Sequence, residues 1–345
     1  MLKEILKQRG VPELKSREEM LDILQTEEYG FIPEKPDSVE FIVHENIEPL
    51  FCARKATLKK IEAVCKFGEK SFTFPFYFSC PNKEGKLPFF VNVNFRDNLP
   101  DLYLPIEEIT DNGFAVLSFC HNDVTSDKDD FTSGLAGVLY KEGKRNPTDA
   151  GKLALWAWAA HRIMDFAETV DNLDLNRAAV CGHSRLGKTA LLAAATDTRF
   201  KFAYSNDSGC SGAAITRGKQ GEKVDNICNN FAYWFCENYC KYRNNEAEMP
   251  FDQHYLIASI APRFAIVGSA VEDTWADPDS EMLSCVAASK AYEDLGLKGF
   301  VCEDRLPQID DIFFSGNIGY HLRANDHYFS RIDWQRLMDF INTHS

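Results

Sequence analysis

One stretch of eleven residues restricts the fold more than any other: Ala178-Ala179-Val180-Cys181-Gly182-His183-Ser184-Arg185-Leu186-Gly187-Lys188. A strand-like apolar run enters Gly-x-Ser and leaves in helix-forming residues, the strand-to-helix turn on which a nucleophilic serine is mounted. Gly182 and Gly187 permit a tight turn. Such a turn presents the Ser184 hydroxyl at the carboxyl edge of a sheet, while the new helix aims its N-terminal amides at a developing oxyanion. The spacing is Gly-x-Ser-x-x-Gly, one residue longer than the usual elbow. Were the turn purely structural, Ser184 would be an N-cap and Arg185 a solvated charge.

The flanking sequence supplies the sheet that such an elbow needs. Residues 1–35 are charged and helix-prone and end in Tyr-Gly-Phe-Ile-Pro-Glu-Lys-Pro, which reads as a helical N-terminal extension. Residues 36–345 read as one domain. From Val39 to Phe78 the pattern is short and alternating, as in antiparallel edge strands. Leu87–Val93 and Phe114–Phe119 are compact apolar runs of the buried parallel type. Asp149–Thr169 has helical spacing, Arg177–Cys181 is a strand, and Lys188–Ala195 a helix. Arg263–Ala270, Ser280–Leu295 and Trp334–His344 continue as strand, helix and closing helix. This alternation predicts a mostly parallel central sheet with helices on both faces, and together with the elbow it points to the α/β-hydrolase fold.

That fold orders its partners as serine, acid, histidine. Of eight histidines, three lie beyond residue 300, and His344 is terminal, which leaves His321 and His327 for the base. Three carboxylates compete as the acid. Asp207 follows the strand after the elbow helix, Asp273 follows the later strand where most of the class keep theirs, and Asp277 precedes a proline that can make a turn. The backbone N–H of Arg185 is the natural oxyanion donor. Phe95-Arg96-Asp97-Asn98, after the strand that carries a second donor in this class, lacks a recognisable glycine cluster.

Gly-x-Ser-Arg-x-Gly-Lys, the Asp207-Ser208-Gly209-Cys210-Ser211-Gly212 segment, the aromatic Asn230–Phe235 segment and Pro250–Arg263 fall in one order over residues 150–340. In that order they resemble the glucuronoyl esterase family and related acetyl-xylan-esterase-like bacterial hydrolases, with His183 standing where the family has cysteine. The resemblance implies a serine carboxylic ester hydrolase acting on a 4-O-methyl-glucuronoyl or acetylated sugar ester. It favours His327, in a loop before Asp333-Trp334, as the base, with His321 on the pocket wall. It leans slightly to Asp207 over Asp273 as the acid, and adds the Arg185 guanidinium to the oxyanion site. Lys188, Trp275 and the aromatic segment with Trp234 would contact the sugar. Asn229-Asn230 stands where the family's acidic sugar contact is expected.

Charge and cysteine content narrow the partners. A net charge of -14 repels nucleic acid and anionic membranes, and no apolar run is long enough to span a bilayer. Neither a signal-peptide core nor a metal-ligand spacing is present, so the expectation is a cytoplasmic protein with reduced thiols, no metal and no cofactor. Its expected partner is a small-molecule or oligosaccharide ester.

Overall fold

A computed structural model describes residues 1–345. Its ten strands are β1 (Ser38–His44), β2 (Ala56–Phe67), β3 (Lys70–Pro81), β4 (Leu87–Asn94), β5 (Ala115–Cys120), β6 (Leu173–His183), β7 (Phe202–Asn206), β8 (Phe264–Ala270), β9 (Ile312–Phe313) and β10 (Ile318–Arg323). They form one sheet in the order β1-β2-β3-β5-β4-β6-β7-β8-β10-β9. The pairs β5/β4, β4/β6, β6/β7, β7/β8 and β8/β10 are parallel, and the hairpin side β1–β2–β3 and the short β9 are antiparallel. This is the α/β-hydrolase fold to which the alternation of elements and the elbow together pointed.

The central strands are apolar on both faces because both faces are covered. Phe89, Val91 and Val93 of β4 enter the larger core with the helices Lys152–Ala167 and Arg185–Thr196, while Phe90 enters a second core with Trp334, Leu337 and Ile341 of the closing helix Arg331–Thr343. The chain runs from β4 to β5 on one side and from there to β6 on the other. The carboxyl ends of β4 and β6 therefore flank the point where strand order reverses, the place where such sheets open a crevice.

The helix Lys152–Ala167 is buried almost all round, which a helix on one face of a sheet is not unless something covers it. The helix Arg185–Thr196, the turns at His121–Val124 and Ala232–Trp234 and the N-terminal segment around residues 31–34 share that task. Leu2, Met20, Leu24 and Tyr29 join the same core, and Trp158 Nε1 donates to the Glu34 carbonyl at 3.1 Å. Tyr29 reaches toward the site, its hydroxyl donating to the Ser211 carbonyl at 2.7 Å.

The cysteine expectation needs one correction. Cys228 is not a free thiol but is bonded to Cys240, while nine cysteines are free. The helix Val224–Asn230 and the turn Glu237–Tyr242 double back and bring the two Cα atoms within 5.7 Å, a proximity that a separation of 12 residues does not announce. No helix is long and apolar enough to cross a membrane.

Candidate active site

Ser184 sits between the end of β6 and the helix Arg185–Thr196 with φ 57° and ψ -129°, a conformation that costs a non-glycine residue on the order of 1–3 kcal/mol. Its neighbours enforce that shape. A Cβ at Gly182 would strike the Leu186 carbonyl oxygen, and one at Gly187 would lie 2.9 Å from Ser205 Oγ. The Ser184 N–H is held by the Asn206 carbonyl at 2.8 Å. Although the serine occupies the N-cap position, its side chain makes no capping hydrogen bond. The capping role that a purely structural turn would give Ser184 is therefore not filled by its hydroxyl.

His327 lies in the loop between β10 and the closing helix, and its Nδ1 is 2.6 Å from Asp273 Oδ2. Asp273 is buried after β8, with Oδ1 also accepting from the Ala276 N–H at 3.1 Å. The slight preference for Asp207 is therefore corrected, since Asp273 is the carboxylate hydrogen-bonded to the imidazole. Asp207 sits nearby, at φ 45°, and its Oδ2 accepts from Arg323 Nη2 at 3.1 Å. Burial, with Asp333 and Glu281 beside it, pushes the Asp207 carboxyl well above its ordinary range against the pull of Arg323. A carboxyl biased toward protonation is a poor charge partner for an imidazolium. Asp207, Asp273 and His327 are the one group able to surround a cation, with ligand atoms within 4.8 Å of one another. The bonds to Arg323 and between His327 and Asp273 already use two of these carboxylates and the imidazole Nδ1, as suits a triad better than a metal site. Asp277 instead caps the helix Pro278–Glu293, accepting from Ser280 Oγ at 2.6 Å and from the Gln220 N–H at 2.9 Å.

His183 packs against the base, its ring 4.4 Å from that of His327 between centroids. Its Nδ1 is 2.7 Å from Asn206 Oδ1. Burial, and the proximity of His327, hold its pKa well below the ordinary value, so it stays neutral. His321 was expected on the pocket wall, and here the structure disagrees. It points inward from β10, fully covered, 2.9 Å from the Tyr204 hydroxyl, and burial lowers its pKa to about 4.

Arg185 opens the elbow helix, so its backbone N–H has no intrahelical acceptor. Its guanidinium lies 4.8 Å from the Trp234 ring and 5.4 Å from that of Phe95, and Nη1 is paired with Asp127. Nε is buried without a partner. Phe95 N–H, where a second oxyanion donor was sought, is already taken by Asn94 Oδ1 at 2.8 Å. Asp127 also accepts from Trp234 Nε1 at 2.7 Å and lies 3.6 Å from His121 Nε2. Burial alone would raise its pKa, but His121, the Arg185 charge and the Trp234 indole together hold it well below the carboxylate range. Asp127 escaped sequence reasoning because its only local signal is an acidic run in a loop.

Lys188 is buried, and its Nζ donates to the carbonyls of Ser208 and Cys210, with Glu222 Oε2 at 3.7 Å. Glu222 N–H in turn donates to the Trp275 carbonyl at 3.0 Å, but the buried Lys188 ammonium is spent on backbone carbonyls and so does not offer a sugar the donors expected of it. Trp275 is exposed, as suits a sugar platform, whereas Trp234 is buried and stacked on Phe231 at 4.1 Å with its indole N–H spent on Asp127. Trp234 therefore acts on Arg185 instead of offering a free face to a ligand.

Fold and site define an α/β-hydrolase-fold protein in which Ser184 at the elbow and the bonded pair His327 and Asp273 lie at the carboxyl edge of a parallel sheet. The family model for fungal glucuronyl esterases matches residues 64–296. The chain belongs to the glucuronoyl esterase family. It is 39% identical over 241 residues to a carbohydrate esterase from an unknown prokaryotic organism, an alignment covering 69% of this chain and 55% of that protein's length. Among solved structures it superimposes with a TM-score of 0.84 and 30% identity on a promiscuous esterase of carbohydrate esterase family 15 from a marine bacterial metagenome, covering 96% of this chain and 91% of the other. The glucuronoyl esterase of Solibacter usitatus gives a TM-score of 0.85 at 30% identity, over 95% and 91% of the two chains.

Proposed function

We propose that this chain hydrolyses a sugar ester, with a 4-O-methyl-glucuronoyl ester as the leading substrate, through an acyl-enzyme on Ser184. The observation that carries the reading is the strained, uncapped Ser184 directly after His183, whose ring packs 4.4 Å from that of His327, itself bonded to Asp273. In the mechanism this supports, His327 Nε2 takes the Ser184 proton as Oγ attacks the ester carbonyl. The Arg185 backbone N–H and guanidinium stabilise the tetrahedral oxyanion. His327 then protonates the departing alcohol, water attacks the acyl-enzyme by the same path, and the uronic acid leaves. Asp273 holds the imidazole tautomer and stabilises its cation throughout.

A second reading is a broader esterase that also removes acetyl groups. The marine metagenomic relative is described as promiscuous, and in this chain Asn229-Asn230 replaces the acidic residue expected near the sugar. Hydrolysis of benzyl glucuronate beside phenyl acetate, with Ser184→Ala as control, separates the two. Turnover of the glucuronate ester that is lost in the variant supports the first reading, and acetate cleavage alone supports the second. Absence of both from folded protein overturns the esterase reading. As to location, the Cys228–Cys240 disulfide favours an oxidising compartment over the cytoplasm expected from the sequence. Thiol alkylation and mass spectrometry of protein isolated from its host compare the two.

A further inference from the structure

Behind the catalytic histidine lies one guanidinium whose donors are all spent. Arg323, the last residue of β10, is almost completely buried. Its Nε donates to Asp333 Oδ2 at 2.8 Å and Oδ1 at 3.1 Å. Nη1 donates to the carbonyls of Ala324 and Asp326, both at 3.0 Å. Nη2 donates to Asp207 Oδ2 at 3.1 Å and to the Tyr328 carbonyl. The five N–H groups of an arginine form a rigid fork, and here every one has an acceptor.

Those acceptors are not scattered. The carbonyls of residues 324, 326 and 328 alternate along the loop that carries His327, so the loop is wrapped around the guanidinium. Asp333 fixes where that loop ends, because it also accepts from the Ser330 N–H and hydroxyl, both at 2.7 Å, at the start of the closing helix. Asp207 fixes the other side, at the carboxyl end of β7. A buried group that satisfies three backbone carbonyls and two carboxylates is costly to place, and leaving any of these acceptors unpaired costs more.

We infer that Arg323 is the positioning residue of the catalytic base: it sets the His327 loop so that Nδ1 meets Asp273, and it engages Asp207 so that Asp273 alone is bonded to the imidazole. The inference rests on the esterase reading of the site. Five groups face the His327 ring and loop. They are Asp273 at 2.6 Å, Asp207 among the atoms within 4.8 Å, the neutral His183 ring at 4.4 Å, Asp326, whose Oδ1 accepts the His327 N–H at 2.7 Å, and Arg323 behind the loop. An imidazole that loses its carboxylate titrates lower, so misplacement has a signature that simple destabilisation lacks.

The test is the pH profile of kcat/KM for phenyl acetate in the wild type and in Arg323→Lys, Asp333→Asn, Asp207→Asn and Asp273→Asn. Lysine keeps the charge but not the fork, so Arg323→Lys is expected to lose roughly 30-fold in kcat with KM within about threefold. Its acid-limb pKa should fall by about one unit, toward that of Asp273→Asn. Asp333→Asn loosens the guanidinium without removing it and is expected to give a smaller shift in the same direction, which keeps the test alive should the lysine variant fail to fold. Asp207→Asn, which weakens one anchor of the fork but leaves the bond to Asp333, is expected to lose less than Arg323→Lys, and Asp273→Asn to lose about 100-fold or more. An unmoved acid limb in Arg323→Lys and Asp333→Asn overturns the inference, as does an Asp207→Asn loss matching that of Asp273→Asn. If wild-type protein hydrolyses no ester, the esterase reading fails and the inference that rests on it falls with it, an outcome distinct from an unmoved acid limb in an active enzyme.

Discussion

The imidazole of His183 lies 4.4 Å from that of His327, so the residue immediately before Ser184 forms one wall of the slot that holds the His327 ring. Tyr103, at 5.1 Å, and Phe329, at 6.1 Å, close the other sides of His183. Being neutral, His183 would pack against a His327 imidazolium without repelling it.

Removing that wall should therefore harm turnover more than changing its polarity. His183→Ala is expected to lower kcat about tenfold or more through displacement of the base, while His183→Phe, which keeps a ring, should stay within about fivefold. Steady-state rates on phenyl acetate check this. Equal losses in both variants show that the hydrogen bond to Asn206 matters more than the packing.

Asp127 holds Arg185 and the Trp234 indole at once. Asp127→Asn keeps an acceptor for the indole but loses the charge that orients the guanidinium. The expected result is a fall in kcat of about 10- to 100-fold with KM little altered, since the oxyanion is met only in the transition state. A rise in KM with kcat unchanged assigns Asp127 to substrate binding instead.

Glu28 gives a pH-dependent stability. Burial raises its pKa to about 8, against the hydrogen bond from Gln253 Nε2 at 2.8 Å, and its Oε2 has no partner. Between the unfolded value of about 4.5 and about 8, the folded state holds one proton more than the unfolded state. Stability thus falls as pH rises through that window, by at most about 5 kcal/mol. Glu28→Gln has no such proton, so its stability gain over wild type should be small at pH 4, grow to about pH 8 and level off above. Urea midpoints across that range test it, and a gain that does not change with pH removes Glu28 as the titrating group.

The Cys228–Cys240 bond closes a loop that contains Phe231, Tyr233 and Trp234, the aromatic segment around Arg185 and Asp127. Replacing both cysteines by serine should cost about 3 kcal/mol in folding stability. With the segment loosened, catalysis should fall for the glucuronate ester and for phenyl acetate alike, because Arg185 serves both reactions. Unfolding midpoints and parallel assays with the two substrates check this, and unchanged rates show that the segment holds its shape without the bond.

The sequence by itself determined what is written locally along the chain. The elbow at 178–188 is legible because strand, turn and helix are contiguous and their glycines are required by close backbone contacts at Gly182 and Gly187. The alternation of apolar runs with helical segments implied a doubly covered sheet, since strands apolar on both sides need helices on both faces. The choice between Asp207 and Asp273 was made by tertiary structure. Both end parallel strands at the same sheet edge, and only the fold reveals that Arg323 engages the first while His327 bonds to the second. The surroundings of Asp127 and His321 were decided in the same way. Each depends on residues brought together from distant parts of the chain, and side-chain partnership over such separations leaves no periodicity, spacing or composition for a sequence to display.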